Sequence, residues 1–281
     1  MKKLLLMPIL ALLIGCGGGS SYENAKDKTP IGIYEDAPIS GVEYKCGSYE
    51  GITDNGEFKF EINKSCIFSL FDKKLDEFDA SLLKSNGVHL ITQNQDAIAL
   101  LASLDKDKNI SNGFNIDRDE AKKHFNNIKD LNYTQIHNMV KDYLQNHYND
   151  LKSFESRLKK HQEESVRRYL AEKSFYSYVK ICPGCKYDKN STSKDEVLTY
   201  ITTFNKTLTK ATVTWQDGEK VYYKLTQNGF KVAFDGVFTI QIIAVYPNGL
   251  KIFQEYPDGD ERVRFFYNSK EEMEKALKSD K

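Results

Sequence analysis

Cys182-Pro183-Gly184-Cys185 places two thiols at the Cys-x-x-Cys spacing, which suits a pair cycling between dithiol and disulfide and also half of a zinc site. The motif opens no predicted helix and no βαβ pattern surrounds it. A bridge across a Pro-Gly turn is therefore the first expectation, with thiol–disulfide exchange or metal binding as the alternative. Asp105, Asp107 and Asn109 form a second constellation, with Ser111 close behind. Oxygen ligands at alternating positions on a tight loop converge on a hard cation such as calcium. Ile110 stands where such a loop needs glycine and Ile116 where it needs glutamate, so a solvated turn is the other reading. Aromatic residues supply the third candidate. Trp215, Tyr222, Tyr223, Tyr246 and Tyr256 lie in a β-rich segment, where they form either a face that holds a sugar, peptide or lipid or an ordinary strand core. The histidines (89, 124, 137, 147 and 161) make no i, i+4 pair and read as surface or boundary residues. With no Gly-x-Ser-x-Gly elbow, phosphate loop or dinucleotide fingerprint, no catalytic residue is assigned.

The start of the chain carries an address. Lys2 and Lys3 precede an apolar run over 4–14 that is too short to span a bilayer, followed by Leu13-Ile14-Gly15-Cys16. This resembles the lipobox of bacterial lipoproteins. The resemblance implies cleavage before Cys16, acylation of Cys16 and attachment to the membrane through that lipid. Several acyl chains anchor stably where one binds only reversibly. Gly17 after the cysteine, in place of aspartate, implies the outer membrane of the cell envelope. Gly17-Gly18-Gly19-Ser20-Ser21 then reads as a flexible tether.

Composition agrees with an exported protein and excludes one class of partner. The 40 basic and 40 acidic side chains are interspersed, so no clustered basic face exists for nucleic acid. Cys46, Cys66, Cys182 and Cys185 remain beside Cys16, an even number that reads as disulfides in an oxidising compartment. Three pairings exist, and Cys46–Cys66 with Cys182–Cys185 keeps each bridge inside one predicted unit.

The elements that position these residues divide the chain into a signal over 1–15, a lipidated tether over 16–30, a β-sandwich-like module over 31–80, a helical region over 81–195 and a β-meander with a terminal helix over 196–281. Phe58, Phe60 and Ile62 alternate on one face behind a turn at Asp54-Asn55-Gly56. Asp36-Ala37-Pro38-Ile39-Ser40-Gly41-Val42 and Gly51-Ile52-Thr53-Asp54-Asn55-Gly56-Glu57-Phe58 resemble the carboxypeptidase-regulatory-like, transthyretin-type β-sandwich of surface lipoproteins. That likeness implies a spacer or interaction unit without catalysis. It extends into a helix bearing Ile98, Leu101 and Leu104 and on to Asp105-Lys106-Asp107-Lys108-Asn109. Apolar residues then recur at helical spacing from 136 to 170, and the register runs on toward 180, which predicts a long helix or a helical hairpin. Five Asx-Gly turns, at 217–218, 228–229, 235–236, 248–249 and 258–259, separate six predicted strands between 211 and 267. Ser269 with Glu272 predicts a capped helix over the sheet. The expected class is α+β: a small N-terminal β-sandwich, long central helices and a C-terminal antiparallel β-meander capped by a helix. The expected role is binding or assembly at the membrane surface, with an envelope protein or a surface ligand as partner. An envelope thiol–disulfide or metal-dependent protein using Cys182 and Cys185 is the alternative.

Overall fold

The computed structural model describes residues 29–36, 38–92, 94–107, 109–125, 151–181 and 196–279, with isolated positions between 131 and 145. Seven strands open the fold: β1 (Ile31–Glu35), β2 (Ile39–Ser40), β3 (Glu43–Cys46), β4 (Tyr49–Ile52), β5 (Glu57–Lys59), β6 (Cys66–Leu70) and β7 (Lys73–Phe78). They are followed by β8 (His89–Ile91), α1 (Gln95–Ser103), β9 (Phe114–Asn115), α2 (Arg118–Phe125) and α3 (Leu151–Leu170). The remaining elements are β10 (Ser174–Ile181), β11 (Glu196–Phe204), β12 (Lys210–Trp215), β13 (Lys220–Asn228), β14 (Lys231–Phe234), β15 (Phe238–Tyr246), β16 (Gly249–Glu255), β17 (Glu261–Tyr267) and α4 (Lys270–Ser279). The chain is mostly β.

In the N-terminal part, β4-β3-β6-β7 form one antiparallel sheet. Tyr44, Cys46, Phe68, Leu70 and Phe78 alternate onto its buried face, as a half-buried strand requires. That face meets β1 and β5: Tyr34 stacks on Phe68 at 4.0 Å, and Phe58 meets Phe68 edge-on at 5.1 Å. Asn55 and Gly56 take positive φ as the turn chemistry predicts, and a Cβ on Gly56 would lie 2.9 Å from the Tyr34 carbonyl oxygen. Cys46 and Cys66 face each other across β3 and β6 and form a disulfide. Replacing both by alanine is expected to lower stability by about 3 kcal/mol in a urea titration, the value for closing a loop of this size.

The sequence reading separates residues 31–80 from the meander; the structure ties them together. β5, β1 and β8 lie side by side, and β8 pairs antiparallel with β15 through Leu90↔Ala244 and His89↔Val245. The two parts therefore share one sheet. The junction lies at a register shift between Ile242 and Ala244: β15 pairs with β14 before it and with β8 after it.

From β10 to β17 every strand pairs antiparallel with the next. β17 then returns to β10 at Tyr176↔Tyr267, giving a barrel-like ring of eight strands. All five predicted Asx-Gly turns fall between consecutive strands of this ring. Gly249 is indispensable to its hairpin, since a Cβ there would lie 2.1 Å from the Phe266 carbonyl oxygen. The β10/β17 seam is short, and α4 packs over it with Met273 buried. Ser269 caps α4 as expected, accepting from the Glu272 N–H at 3.2 Å.

The central segment departs most from expectation. The helical register does not continue to 180: α3 ends at Leu170, Glu172 takes φ 59°, and β10 begins at Ser174. A residue in the left-handed region ends a helix by turning its last carbonyls away from the axis. Beyond it Phe175 and Ser177 are both buried, the period-two pattern of a strand. Helix α3 joins the two halves of the molecule. Its Ser165 Oγ donates to the Asp36 carbonyl at 2.9 Å, Gln162 Nε2 donates to Gln95 Oε1 at 3.0 Å, and Tyr169 donates to Glu35. Toward the barrel, Gln227 Nε2 donates to the Glu163 carbonyl at 2.7 Å.

Candidate binding site in the barrel

An up-and-down strand sends alternate residues inward, and the inward set here is aromatic. Phe175, Phe204 and Phe266 fill one end of the barrel: Phe175 lies 5.6 Å from Phe266 and 6.2 Å from Phe204. Toward the other end the packing stops short of filling the interior. A cavity of about 320 Å³ remains, walled by Val179, Leu198 and Tyr200, by Val213, Trp215 and Tyr223, and by Phe234, Phe238, Tyr256 and Phe266. Its size falls within the roughly 300–1,000 Å³ range of small-molecule pockets, and eight-stranded barrels hold a single small ligand in this position.

The wall is built of interlocked rings. Trp215 lies 5.2 Å from Tyr200, Tyr223 lies 5.5 Å from Phe234, and Phe234 stacks on Phe238 at 4.4 Å. Burial pushes the Tyr200, Tyr223 and Tyr256 hydroxyls above their ordinary value, so all three stay protonated donors at neutral pH.

Thr202 on β11 and Gln254 on β16 also line the cavity, and its charged groups enter on one strand. Arg262 and Arg264 are in phase with Phe266 on β17 and line the cavity, while Val263 between them is 53% exposed. Arg262 is held at the rim: its Nε donates to Asp260 Oδ2 at 2.8 Å, and its Nη1 donates to the Tyr256 hydroxyl at 3.1 Å. Its guanidinium carbon also sits 4.2 Å from the centre of the Tyr256 ring. Burial and then the charge of Arg264 lower the Arg262 pKa to about 10. Arg264 Nε is buried without a hydrogen-bond partner among the described residues. Together the lining offers aromatic faces, phenol hydroxyls and guanidinium groups, a set able to bind and orient a guest.

The structure brings together three of the five aromatic residues singled out in the sequence: Trp215, Tyr223 and Tyr256 line the cavity. Tyr222 points outward from the same strand as Tyr223 and is 73% exposed. Tyr246 is buried elsewhere, where its hydroxyl donates to the Leu82 carbonyl at 2.9 Å and joins the barrel to the N-terminal part. Tyr200, Phe238 and both arginines were missed. A signal for the arginines exists, since the alternation of 262–266 already sets them on the Phe266 face.

Asp105, Asp107 and Asn109 are drawn into the loop after α1. Asp105 Oδ1 accepts from the Asn115 N–H at 2.9 Å, and Asp107 accepts from the Asn109 N–H at 2.9 Å and from Asn112 Nδ2 at 2.8 Å. Burial raises the Asp105 carboxyl to about 6. Among the described residues, no three His, Cys, Asp or Glu side chains gather as a metal site. Cys16, Cys182 and Cys185 lie outside the described residues, the latter two in the sequence between β10 and β11. Of the histidines, His161 proves buried, 3.9 Å from Asp36 Oδ1, and His89 Nδ1 lies 2.9 Å from Glu35 Oε1. Among the described residues no helix is long and apolar enough to cross a membrane. No protein-family model matches this chain, and neither a curated protein nor a solved structure is significantly similar to it.

Proposed function

We propose that this chain is a lipid-anchored envelope protein whose barrel binds a small apolar molecule, in a binding role rather than a catalytic one. The observation that carries the reading is the cavity: an aromatic-walled space at one end of an eight-stranded ring, left open where the opposite end is packed solid with phenylalanine. The lipobox ending at Cys16 supports membrane attachment, most simply at the outer membrane, and the transthyretin-like likeness of residues 36–58 supports a spacer between membrane and barrel. A molecule of low water solubility is best handed over next to a membrane, so the anchor and the cavity suit one another.

The chain contains a single tryptophan, and it is Trp215 in the cavity wall. Its fluorescence therefore reports occupancy without a label. Titration with 1-decanol is expected to change that emission saturably in the wild type. In Val213→Phe, where a ring enters the cavity, the change is expected to be lost. A linear, unsaturable response shared by both proteins would contradict the reading. Anchoring has its own test: cells given radiolabelled palmitate are expected to label the wild type and not Cys16→Ser, whose product should leave the membrane fraction.

A further inference from the structure

We infer that the barrel selects a single-chain amphiphile with one anionic head, a medium-chain carboxylate, and that Arg264 is the residue that reads the head. The inference rests on the cavity being a ligand site and adds the chemistry of the guest. Two guanidinium groups line the cavity, and the carboxylate of Asp260 pairs with one of them. That carboxylate belongs to Arg262: Asp260 Oδ2 accepts from both its Nε and its Nη2, at 2.8 and 2.5 Å. Among the described residues no carboxylate lies within ion-pairing distance of Arg264 and its buried Nε has no acceptor, while its guanidinium meets the Tyr256 hydroxyl.

A buried N–H without an acceptor costs free energy, and a half-buried guanidinium without a counter-charge adds to that cost. A carboxylate entering the cavity answers both at once, accepting from Arg264 Nε and supplying the missing negative charge. It also relieves the repulsion that Arg264 exerts on Arg262. The Tyr256 hydroxyl, which accepts from Arg262, keeps its own O–H to donate to the same guest. With Arg264 the one lining cation that has no carboxylate partner among the described residues, the match is a monoanion and not a phosphate dianion. Apart from Thr202 and Gln254, the remaining wall is aromatic and aliphatic, led by Trp215, Tyr223 and Phe234, and suits a hydrocarbon chain. The inverted pattern of β17, with arginines inward and Val263 outward, is hard to explain by packing alone, because an inward arginine is costlier than the valine it displaces to the surface.

The test compares decanoate with 1-decanol, which share a chain length and differ in the head. Protein made from Gly17 onward is titrated with each, following Trp215. In the wild type, decanoate is expected to bind about tenfold or more tightly than decanol, the ratio for one charge-assisted hydrogen bond in a dry site. Arg264→Met is expected to weaken decanoate about tenfold more than it weakens decanol, which removes the preference, and Arg264→Lys to restore part of it. Equal affinities in the wild type, or an equal loss of both ligands in Arg264→Met, would overturn the assignment of the head while the cavity reading stands. Failure of the wild type to bind either ligand would overturn both. The wild-type comparison needs no variant, so the outcome does not depend on Arg264→Met folding.

Discussion

Replacing Asp36 by asparagine is expected to stabilise the protein near pH 8 by several kcal/mol and to change it little at or below about pH 4. Asp36 follows β1 where α3 crosses it, and its side chain is fully buried with neither carboxylate oxygen hydrogen-bonded. Burial, then the neighbouring Glu35 charge, raises its pKa from 3.8 to about 8, against a smaller pull downward from Arg168. In the unfolded chain the same carboxyl ionises near its ordinary value. Between these two values the folded state holds a proton that the unfolded state has lost, so stability falls as pH rises through the window. A four-unit window corresponds to on the order of 3–5 kcal/mol once local relaxation is allowed for. Asp76 and Asp105, both raised to about 6 by burial, add to the fall in the lower part of the range. His161 faces Asp36 from α3 and works the other way: burial and Arg168 hold its pKa down, so it loses stability as pH drops below its ordinary 6.5. Asparagine carries no proton to lose. Urea titrations at several pH values are expected to show a declining profile for the wild type and a flatter one for Asp36→Asn. Parallel profiles would mean that Asp36 is ionised in the folded protein throughout.

Phe204→Ala is expected to cost about 3–5 kcal/mol, the range for emptying a buried phenylalanine site. Phe204 is 2% exposed and lies 6.2 Å from Phe175, 6.1 Å from Phe234 and 6.5 Å from Phe266, so its ring joins four strands at the packed end of the barrel. Its N–H also donates to the Lys173 carbonyl at 2.9 Å, just beyond α3. The backbone bond survives the substitution and the ring contacts do not. Thermal or urea unfolding of Phe204→Ala beside Phe204→Leu measures the effect, and a loss below about 1 kcal/mol in the alanine variant would show that the packed end is not as dense as described.

The six strands punctuated by Asx-Gly turns were legible because a tight hairpin is a local event: Asp235, Gly236 and Gly259 carry the positive φ their turns need. The ring was not legible, because six strands do not close and the missing two are disguised. In β10 the residues before Ser174 continue a helical spacing, and the strand declares itself only through Phe175 and Ser177 packing inward. Strand β11 has no turn motif of its own at its start. The union of the two halves was also hidden, since Leu90↔Ala244 joins residues far apart in sequence and depends on a register shift that no local pattern announces. The same limits explain the site. Tyr222 and Tyr223 look alike in sequence, and only strand phase, which the closed barrel makes meaningful, sends one inward and one out. Cys46–Cys66 was readable because both cysteines sit on adjacent, locally patterned strands.

The most direct test of a ligand-holding barrel is to see which methyl groups a guest touches. Isotope-filtered nuclear Overhauser spectra of methyl-labelled protein with unlabelled 1-decanol report those contacts. The fold predicts cross-peaks to the inward methyls of Val179, Leu198 and Val213 and none to Val263, which lies on the outer face of β17. Cross-peaks to Val263 without those to Val213, or no intermolecular cross-peaks under saturating decanol, would contradict a guest inside the barrel.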